Sequence, residues 1–575
     1  MTRRLWVAAS VIVSVAAVSG WLGWLIHVRV IAANYPLSWD EGTHSLFGLA
    51  IANDLRHGDL LGLAYDTYRQ VYWPPIHSWL VGLAFLAFGE RIDVARDVSL
   101  VSYILFPLVL VAAGRALRPV DDTLGGWNAA GAAGVLAVAI PACIPFATLA
   151  FIDLPALVIL TLTLLAAFHA ERSPERPRRR VLIALGILGA FFTKTNYGIL
   201  LLGVFFFDAL IDARWSPRRL RAARNLYVAV PILIIFVVWF AYPPKITATI
   251  RAMINTASDA GGMTLEGLLY YPRALLGFAG SPLVLGVLLA GVAAAWRDRA
   301  APNVRLLLLV AVLQFLLAEV HHTKEDRHIL PMLPAMLLLA GHSVARLVLA
   351  LRRSPNPRVV RGVAMAGGAL VVVLGIQLAS IASRPFPRAR IPLPPGAAGS
   401  ALVERVRELT RGGQRALIVS AFDVTPEPPA LDWQLIVDER LLRIEHSGGI
   451  GVVDRDRGVS AALARAPMPA PLATRIARVL GRSDSPATVR TVYGGLPERS
   501  TPDGFAVSIA ETLRRDRPDV MIVTRSMAEA VDYPEAYFAP LLANPLLTLA
   551  STRVVESTRI DEYRVARPVA PASAR

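Results

Sequence analysis

The fold is decided by the apolar run at residues 5–28, LWVAASVIVSVAAVSGWLGWLIHV, and by the acidic stretch WDEGTH at residues 39–44 that follows it. A helix of about twenty apolar residues is long enough to cross the hydrocarbon core of a bilayer. The second stretch then lies just outside the membrane and carries two adjacent carboxylates, Asp40 and Glu41. Acids there can take a proton from an acceptor hydroxyl or hold a cation against a phosphate. The alternative is a solvated acidic loop without chemistry.

Composition makes the chain a polytopic membrane protein. Hydrophobic residues are 55% of its 575 residues and the mean hydropathy is +0.50, far above the apolar share of soluble domains. The net charge of +16 comes from arginine, because only Lys194, Lys245 and Lys324 are lysines. Arginine in short cytoplasmic loops explains this excess without a nucleic-acid partner. Cys143, the single cysteine, excludes an intrachain disulfide and a cysteine-based zinc site.

Basic loops define the topology. Arg3 and Arg4 precede the first apolar run, which lacks a clear cleavage site, so we interpret it as a retained span with a cytoplasmic N-terminus. The run at 75–89 is short for a span and suits a helix lying in the membrane interface. If it lies flat, every strongly basic loop is cytoplasmic; if it crosses, all are outside, against the positive-inside rule. Eleven spans follow, at 5–28, 97–116, 124–147, 155–169, 181–193, 197–211, 226–242, 275–296, 304–319, 329–350 and 361–381.

This topology divides the chain after residue 384. Residues 1–384 form a transmembrane domain with an outer loop at 30–96, which carries the interfacial helix 75–89, and a second outer loop at 243–274. Residues 385–575 begin with a proline-rich segment and lack apolar spans, which predicts an extracytoplasmic α/β domain of unknown role. Its predicted elements are helices at 400–411 and 505–516, buried strands at 415–422 and 520–524, and a strand-like alternation at 551–567.

Several short motifs follow one another in a recognisable order. They are Asp40-Glu41, Gly58-Asp59, Tyr72-Trp73-Pro74-Pro75-Ile76, Phe88-Gly89, Ala95-Arg96, Ile152-Asp153-Leu154-Pro155, Phe192-Thr193-Lys194-Thr195 and Arg327-His328-Ile329-Leu330-Pro331. Together, over about residues 1–350, they resemble the polyprenyl-phosphate-dependent membrane glycosyltransferases of the GT-C fold. That group (glycosyltransferase families 39 and 83) includes the protein O-mannosyltransferases, the aminoarabinose transferases of lipid A and the Rgt-type transferases.

The resemblance implies a reaction and a place for it. Such enzymes move a sugar from a polyprenyl-phosphate donor to an acceptor hydroxyl at the outer face of the cytoplasmic (inner) membrane, and the acceptor is a lipid, a protein or a glycan. The catalytic acid maps onto Asp40, with Glu41 beside it, and Asp153 matches a second acidic position near the same site. The alternative for Asp153 is a helix N-cap before Pro155.

The same resemblance implies the substrate contacts. Aminoarabinose transferases carry a phosphate-binding lysine before the Pro-Pro pair, where this chain has Trp73. The donor phosphate then has to be met by Lys194, Lys324, Arg327 or Arg69, and we favour Lys194. A lysine at that position could instead snorkel to lipid headgroups. The remaining candidates for substrate binding are His44, Tyr72, Trp73, Pro74, Pro75, His77 and His328.

No cofactor is expected and no residue is assigned to a metal, although some relatives use a divalent cation. Adjacent His321 and His322 would point to different faces of a helix, and no His-x-x-x-His pair accompanies them.

Two other functions remain open. A transporter places ionisable residues in mid-span, whereas these spans are nearly free of charge. An inactive relative could use its outer domain to bind envelope polymers.

The topology predicts the side of each loop. Alkaline phosphatase fused after residue 385 is expected to be active, because the predicted C-terminal domain lies outside the cytoplasm, and a fusion within the arginine-rich loop at 214–224 is expected to be inactive. Colony phosphatase activity measures both. An inactive fusion after residue 385 would mean that the span count is wrong by one.

Overall fold

A computed structural model of the chain describes residues 2–33, 37, 39–68, 70, 73–118, 122–172, 177–214, 226–241, 245–246, 264–321, 324–354, 356–383, 397–421, 431, 433, 444–447, 489–494, 502–526, 535–555 and 558–566. The chain divides into two compact units. The first unit is 1–34, 73–80 and 93–389, and the second is 35–72, 81–92 and 390–575. Residues 35–72 and 81–92 therefore group with the C-terminal region.

The α-helices follow the apolar pattern of the sequence. In chain order they are α1 (Thr2–Arg29), α2 (Trp39–Arg56), α3 (Leu60–Tyr68), α4 (Ile76–Phe88), α5 (Ile92–Leu117), α6 (Thr123–Ala139), α7 (Ile144–Ala147), α8 (Asp153–Glu171), α9 (Pro177–Thr193), α10 (Thr195–Asp212), α11 (Leu226–Ile234), α12 (Leu265–Ala279), α13 (Pro282–Ala295), α14 (Pro302–Val320), α15 (Leu333–Arg353), α16 (Pro357–Ser383), α17 (Ala397–Arg411), α18 (Pro502–Asp516) and α19 (Glu535–Leu542). Shorter turns include Pro141–Cys143, Asp326–His328 and Leu330–Met332, and a π-helical turn at Ile235–Trp239 follows α11.

Seven helices in the described ranges are long and apolar enough to cross a membrane, or up to nine if each bent pair is one span. The chain is thus a multi-pass helical membrane protein, as its composition predicts. The predicted count of eleven is not confirmed. The structure departs from the apolar pattern chiefly at two bends.

Each bend lies where one helix ends and the next begins. The chain turns by 55° between α6 and the helix after Pro141, and by 109° between α12 and α13. At the second bend Gly280 has a φ of 75°, Ser281 caps the next helix by accepting from Val284 N at 3.3 Å, and Pro282 follows. Glycine adopts the left-handed conformation without a Cβ clash, and proline suits a first helical position. Hydropathy alone predicts one continuous helix at residues 275–296. The structure instead has two helices there, separated by this bend.

Gln377 of α16 joins the two bends. Its Nε2 donates to the carbonyl of Ala139 at 2.9 Å, where α6 ends, and to the carbonyl of Ala279 at 2.7 Å, where α12 ends. A helix end inside an apolar region leaves carbonyl groups that water cannot satisfy, and each such group costs free energy. One side chain thus satisfies a carbonyl at each broken helix.

The predicted polar outer loop at 30–96 is largely helical. Helix α4 confirms the predicted helix at 75–89, but α2 and α3 were not predicted. Asp40 and Glu41 lie in the first turn of α2, where carboxylates interact favourably with the positive end of the helix dipole. The acidic motif is therefore the start of a helix and not a loop. In the second outer loop, helix α12 already begins at residue 265.

The C-terminal region is an α/β domain, as predicted. Its strands are β1 (Ala416–Ala421), β2 (Ile444–Ser447), β3 (Val489–Gly494), β4 (Val520–Ser526), β5 (Leu547–Val555) and β6 (Thr558–Val565). They form one sheet in the order β2-β3-β1-β4-β6-β5. The first four strands in that order pair in parallel, and β6 pairs antiparallel to β4 and β5. The predicted alternation at 551–567 is the β5–β6 hairpin.

Each face of the sheet has its own hydrophobic core. One core packs Leu417, Val419, Met521 and Val523 against residues of α18 and α19, such as Ile509 and Phe538. The other packs alternate residues of the same strands, Ile418 and Ile522 among them, against Val406 and its neighbours on α17. Alternation along a strand places successive side chains on opposite faces.

An ion pair between Arg405 and Glu562 joins α17 to β6. Arg405 donates from Nε and Nη2 to the two carboxylate oxygens of Glu562, each at 2.8 Å. The hydrogen bonds from Arg405 lower the pKa of Glu562, and burial opposes this effect only in part. Arg405 also donates to Glu408, which is more than half exposed.

This pair makes the stability of the C-terminal domain depend on pH. A carboxylate whose pKa is lowered on folding stabilises the native state above its unfolded pKa, and this contribution is lost as the pH falls through the folded value. We expect Glu562→Gln to lower the free energy of unfolding by about 1 kcal/mol at neutral pH. The loss is expected to vanish at acid pH, because both proteins are then uncharged at residue 562.

Hydrogen exchange of peptides from β4 and β6 measures this difference in the full-length protein. Glu408→Gln is the matched control, since Glu408 binds the same arginine from a solvated position. An equal increase in hydrogen exchange in Glu562→Gln and Glu408→Gln would contradict a larger contribution of Glu562 to the stability of the domain.

Candidate active site

The structure brings together three of the predicted site residues in the first unit: Asp153, Lys194 and Arg327. Asp153 is the first residue of α8 and is 1% exposed. No side chain caps α8 at its N-terminus, and Asp153 Oδ1 instead accepts a hydrogen bond from Lys194 Nζ at 2.5 Å. The N-cap alternative for Asp153 is therefore wrong, and its carboxylate is part of a buried ion pair.

Lys194 lies in the one-residue break between α9 and α10, in extended conformation. Its side chain is 11% exposed, and its ammonium lies 5.7 Å from the centroid of the Tyr197 ring. Burial lowers the pKa of Lys194, although the adjacent Asp153 carboxylate acts in the opposite direction. A buried, paired ammonium does not fit the alternative in which this lysine snorkels to lipid headgroups.

Arg327 belongs to the same charge cluster. It sits in the turn Asp326–His328 and forms an ion pair with Glu325. Burial has the largest effect on the pKa of Lys194, and the Asp153 carboxylate has the next largest. The charge of Arg327 also lowers this pKa, whereas the charge of Glu325 raises it. Lys194, Arg327, Asp153 and Glu325 thus form a charge cluster of two cations and two carboxylates.

Lys324 has a different setting. Its ammonium donates to the carbonyls of Glu319 at 2.7 Å and Ala318 at 3.3 Å, and to Glu319 Oε2 at 3.3 Å. It also lies over the ring of Tyr271 at 5.0 Å. Lysine near a helix C-terminus satisfies the last carbonyls and interacts with the helix dipole. The observed contacts of Lys324 thus stabilise the end of α14.

His328 is held against α12 and α14. The hydroxyl of Tyr271 lies 3.4 Å from His328 Nδ1, and Gln314 donates to the carbonyl of His328. The rings of His328 and His321 are 4.3 Å apart at their centroids. These contacts hold the backbone next to Arg327 in place.

The Pro-Pro motif opens α4. Pro74 and Pro75 are buried, Trp73 is half-buried, and His77 in the first turn of the helix is fully buried. Proline just before and within a first turn suits helix initiation. Tyr72, Arg69 and His322 lie outside the described residues.

The acid pair at the start of α2 lies in the second unit. Asp40 is half-buried, whereas Glu41 is fully buried. His44 is 1% exposed and lies one turn after Asp40, on the same side of the helix.

Sequence reasoning missed several members of the charge cluster. Glu325 and Asp326 precede Arg327 directly, so the string KEDRH was a visible signal of paired charges. Tyr270 donates to Asp326 at 3.1 Å, and Tyr197 lies three residues after Lys194. Aromatic residues in apolar runs are usually packing residues, which is why Tyr197 did not stand out, and the sequence suggested only an interfacial anchor for Tyr270.

Within the described part of the chain, no group of three or more His, Cys, Asp or Glu side chains is arranged to hold a metal ion.

Known proteins with the same architecture are found by structure and not by sequence. No family model matches the sequence, and no curated protein matches it. ArnT from Cupriavidus metallidurans bound to undecaprenyl phosphate superposes with a TM-score of 0.50 and 16% identity, covering 96% of this chain and 98% of that chain. The apo form of ArnT gives a TM-score of 0.50 and 19% identity, covering 98% of this chain and 100% of that chain. The oligosaccharyltransferase AglB from Archaeoglobus fulgidus gives a TM-score of 0.45 and 13% identity, covering 91% of this chain and 69% of that chain.

The chain is therefore a helical membrane protein of the GT-C fold with a C-terminal α/β domain, which confirms the fold that its motifs predict. One known protein with this architecture over nearly the whole of both chains is the aminoarabinose transferase ArnT.

The buried Asp153–Lys194 ion pair predicts how substitutions of these two residues change the stability of the protein. Lys194→Met leaves the Asp153 carboxylate buried without its partner, which is expected to cost about 3–5 kcal/mol. The double variant Asp153→Asn/Lys194→Met removes both charges and is expected to recover most of that loss. Thermal unfolding in detergent measures all variants.

The matched control is Arg56→Met, which removes the exposed partner of Glu90 at 2.6 Å. Exposed pairs contribute roughly 0–1 kcal/mol. A single Lys194 variant as stable as the Arg56 variant would contradict the burial of the pair.

Proposed function

We propose that the protein is a membrane glycosyltransferase that moves a sugar from a polyprenyl-phosphate carrier to an acceptor hydroxyl at the outer face of the cytoplasmic membrane. The observation that carries this proposal is the buried Asp153–Lys194 pair with Arg327 beside it. Two cations at the ends of apolar helices form a site suited to a phosphate on a lipid. The fold shared with ArnT, whose structure contains undecaprenyl phosphate, supports the same class of donor.

Lys194 and Arg327 stabilise the leaving group. The ammonium of Lys194 has three N–H donors, and one of them is used by Asp153. The other two can reach phosphate oxygens as negative charge develops on them. Asp153 holds the ammonium in one orientation and favours its charged form, so that the cation is in place before the sugar–phosphate bond breaks.

Asp40 acts on the acceptor. Its carboxylate takes the proton from the acceptor hydroxyl while that oxygen attacks the anomeric carbon of the sugar. The bond between this carbon and the phosphate oxygen breaks, and its electron pair stays with the polyprenyl phosphate. Glu41 and His44 lie in the same helical turn and orient the acid and the acceptor. The half-burial of Asp40 leaves it accessible to a substrate.

Helix α4 and the Pro-Pro turn before it form a wall of the groove for the lipid carrier. The exposed side of α4 is apolar, since Trp79, Leu80, Leu83 and Phe88 are each at least 40% exposed. A short helix with such a face suits the membrane interface. Trp73, Pro74, Pro75 and His77 then line the entrance for the carrier, and Tyr72 belongs to the same motif.

The arginine-rich loops support a cytoplasmic N-terminus and an outer C-terminal domain. This places the acid-bearing helix and the cation cluster on the side where polyprenyl-linked sugars are used. The acceptor is a lipid, a protein or a glycan. Comparing glycolipids, glycoproteins and wall glycans with and without the gene identifies which of the three it is.

A transporter is the rival function from another class. Transporters use charged groups near the bilayer midplane. Here most of the described ion pairs of the helical unit include a residue near a helix end, such as Asp153 at the start of α8 and Arg305 in the first turn of α14. The deepest charged partner is His342 in the middle of α15, which contacts Asp298 after α13 at 2.9 Å. That distribution favours chemistry at the membrane surface.

Asp40→Asn tests the proposal. Removing a general base typically lowers turnover by about 10²–10⁴-fold, and we expect a loss in this range for transfer from a polyprenyl-phosphate sugar to a membrane extract. The purified variant is expected to keep the unfolding temperature of the parent protein. Glu408→Gln, which changes an exposed acid of the same unit, is the control and is expected to retain activity. Undiminished turnover of Asp40→Asn would overturn the role of Asp40.

A further inference from the structure

The segment that contains residues 431 and 433 is attached to the core of the C-terminal sheet through Leu431. Leu431 is 1% exposed and belongs to the core that Val406 of α17 forms with Ile418 and Ile522. Trp433, two residues later, is 2% exposed and is the largest fully buried side chain among the described residues. A large aromatic ring buried next to a close-packed core has little freedom to move without disturbing that core.

The Trp433 ring meets α4. Its centroid lies 5.6 Å from that of Phe85, with the planes inclined at 43°, and Phe85 is 1% exposed. Tilted rings at this distance are a favourable aromatic arrangement. Phe85 and Trp433 both belong to the second unit, so this contact lies inside one compact body.

The turn of α4 before Phe85 packs directly on α2. A Cβ at Gly82 would come within 2.9 Å of the Gly48 carbonyl oxygen and of the Ile51 side chain. A Cβ at Gly48 would come within 2.5 Å of Val81, which is fully buried. Both distances are shorter than a side chain tolerates, so the two helix backbones touch at glycine on each side. We call the contact of Gly48 and Ile51 with Val81 and Gly82 the glycine seam.

Helix α2 connects the glycine seam to the acid pair. It runs without a break from Trp39 to Arg56, and Asp40 precedes Gly48 by about two turns, or roughly 12 Å. A helix of this length moves as one body, so a displacement at the glycine seam reaches the carboxylates. A second contact, from Arg56 to Glu90 at 2.6 Å, ties the far end of α2 to the segment after α4.

We propose that the C-terminal α/β domain sets the position of the acid-bearing helix through α4, with Trp433 as the positioning residue. The connection runs from the sheet core through Leu431 to Trp433, then to Phe85, the glycine seam, α2 and Asp40. The domain is then part of the catalytic architecture. This inference rests on the proposed function for the role of Asp40, but its structural part stands independently of any activity.

The structural part is measured by the distance between two spin labels in the full-length protein. A background of Cys143→Ala removes the single native cysteine, and His57→Cys, directly after α2, and Val554→Cys on β5 provide exposed attachment points. Trp433→Ala is expected to broaden the distance distribution, because α2 loses its support through Phe85. Trp433→Phe is expected to restore most of the original distribution.

Phe538→Ala is the matched control. Phe538 is also an aromatic residue that is 1% exposed in the same domain, but it belongs to the core on the opposite face of the sheet. It is expected to destabilise the domain without broadening the distribution. Unchanged distances in Trp433→Ala, or equal broadening in Phe538→Ala, would overturn the proposal.

Kinetics test the functional part, with polyprenyl-phosphate sugars extracted from the same membranes as the donor. A misplacement of about 1 Å can cost about a hundredfold in rate. We expect kcat of Trp433→Ala to fall by about ten- to a hundredfold with KM for the donor nearly unchanged, since the cation cluster is untouched. Trp433→Phe is expected to recover kcat.

Broadened distances with unchanged kcat would overturn the positioning role. A parent protein without any transfer activity would count against the proposed function alone, because the spin-label distances test the glycine seam by themselves.

Discussion

A charge that leaves water needs a partner of opposite sign, and the charged region around Lys194 in the helical unit is built around this constraint. Lys194 and Asp153 are both nearly inaccessible, and their hydrogen bond joins the start of α8 to the break between α9 and α10. Removing either partner alone would leave a buried charge, which is why the pair also determines how these helices can pack. Arg327 and Glu325 add a second pair beside the first. The cluster thus contributes to the fold, and it is the group of charges on which the proposed function rests.

Polar groups also need partners within the protein where helices break. Backbone groups inside an apolar region have to be satisfied by protein, and Gln377 does so for the last residues of α6 and α12 together. Lys324 performs the same task at the end of α14. Non-helical turns can therefore exist among the apolar helices without unsatisfied carbonyls at these three positions.

Much of this architecture could be predicted from local patterns. Apolar runs of sufficient length predicted α8 and α10, and the lysine between α9 and α10 was identified because lysine is rare in an arginine-rich chain. Helix α2 was missed because its sequence has no clear apolar face, and its position depends on contacts with α4 at Gly48 and Gly82. The bend at Gly280 was missed because hydropathy averages over a window and does not register a single left-handed residue.

The sequence by itself determined that the chain is a multi-pass membrane protein, and it contains the order of motifs that predicts the GT-C fold. These properties depend on transfer of residues between water and lipid, which is additive along the chain. Only the tertiary structure decided that Asp153 binds Lys194, that Lys324 caps a helix, and that Trp433 meets Phe85. Each of these contacts joins groups from different segments or gives a charge one partner out of several. Local composition cannot specify that choice, because it is made by the packing of the whole fold.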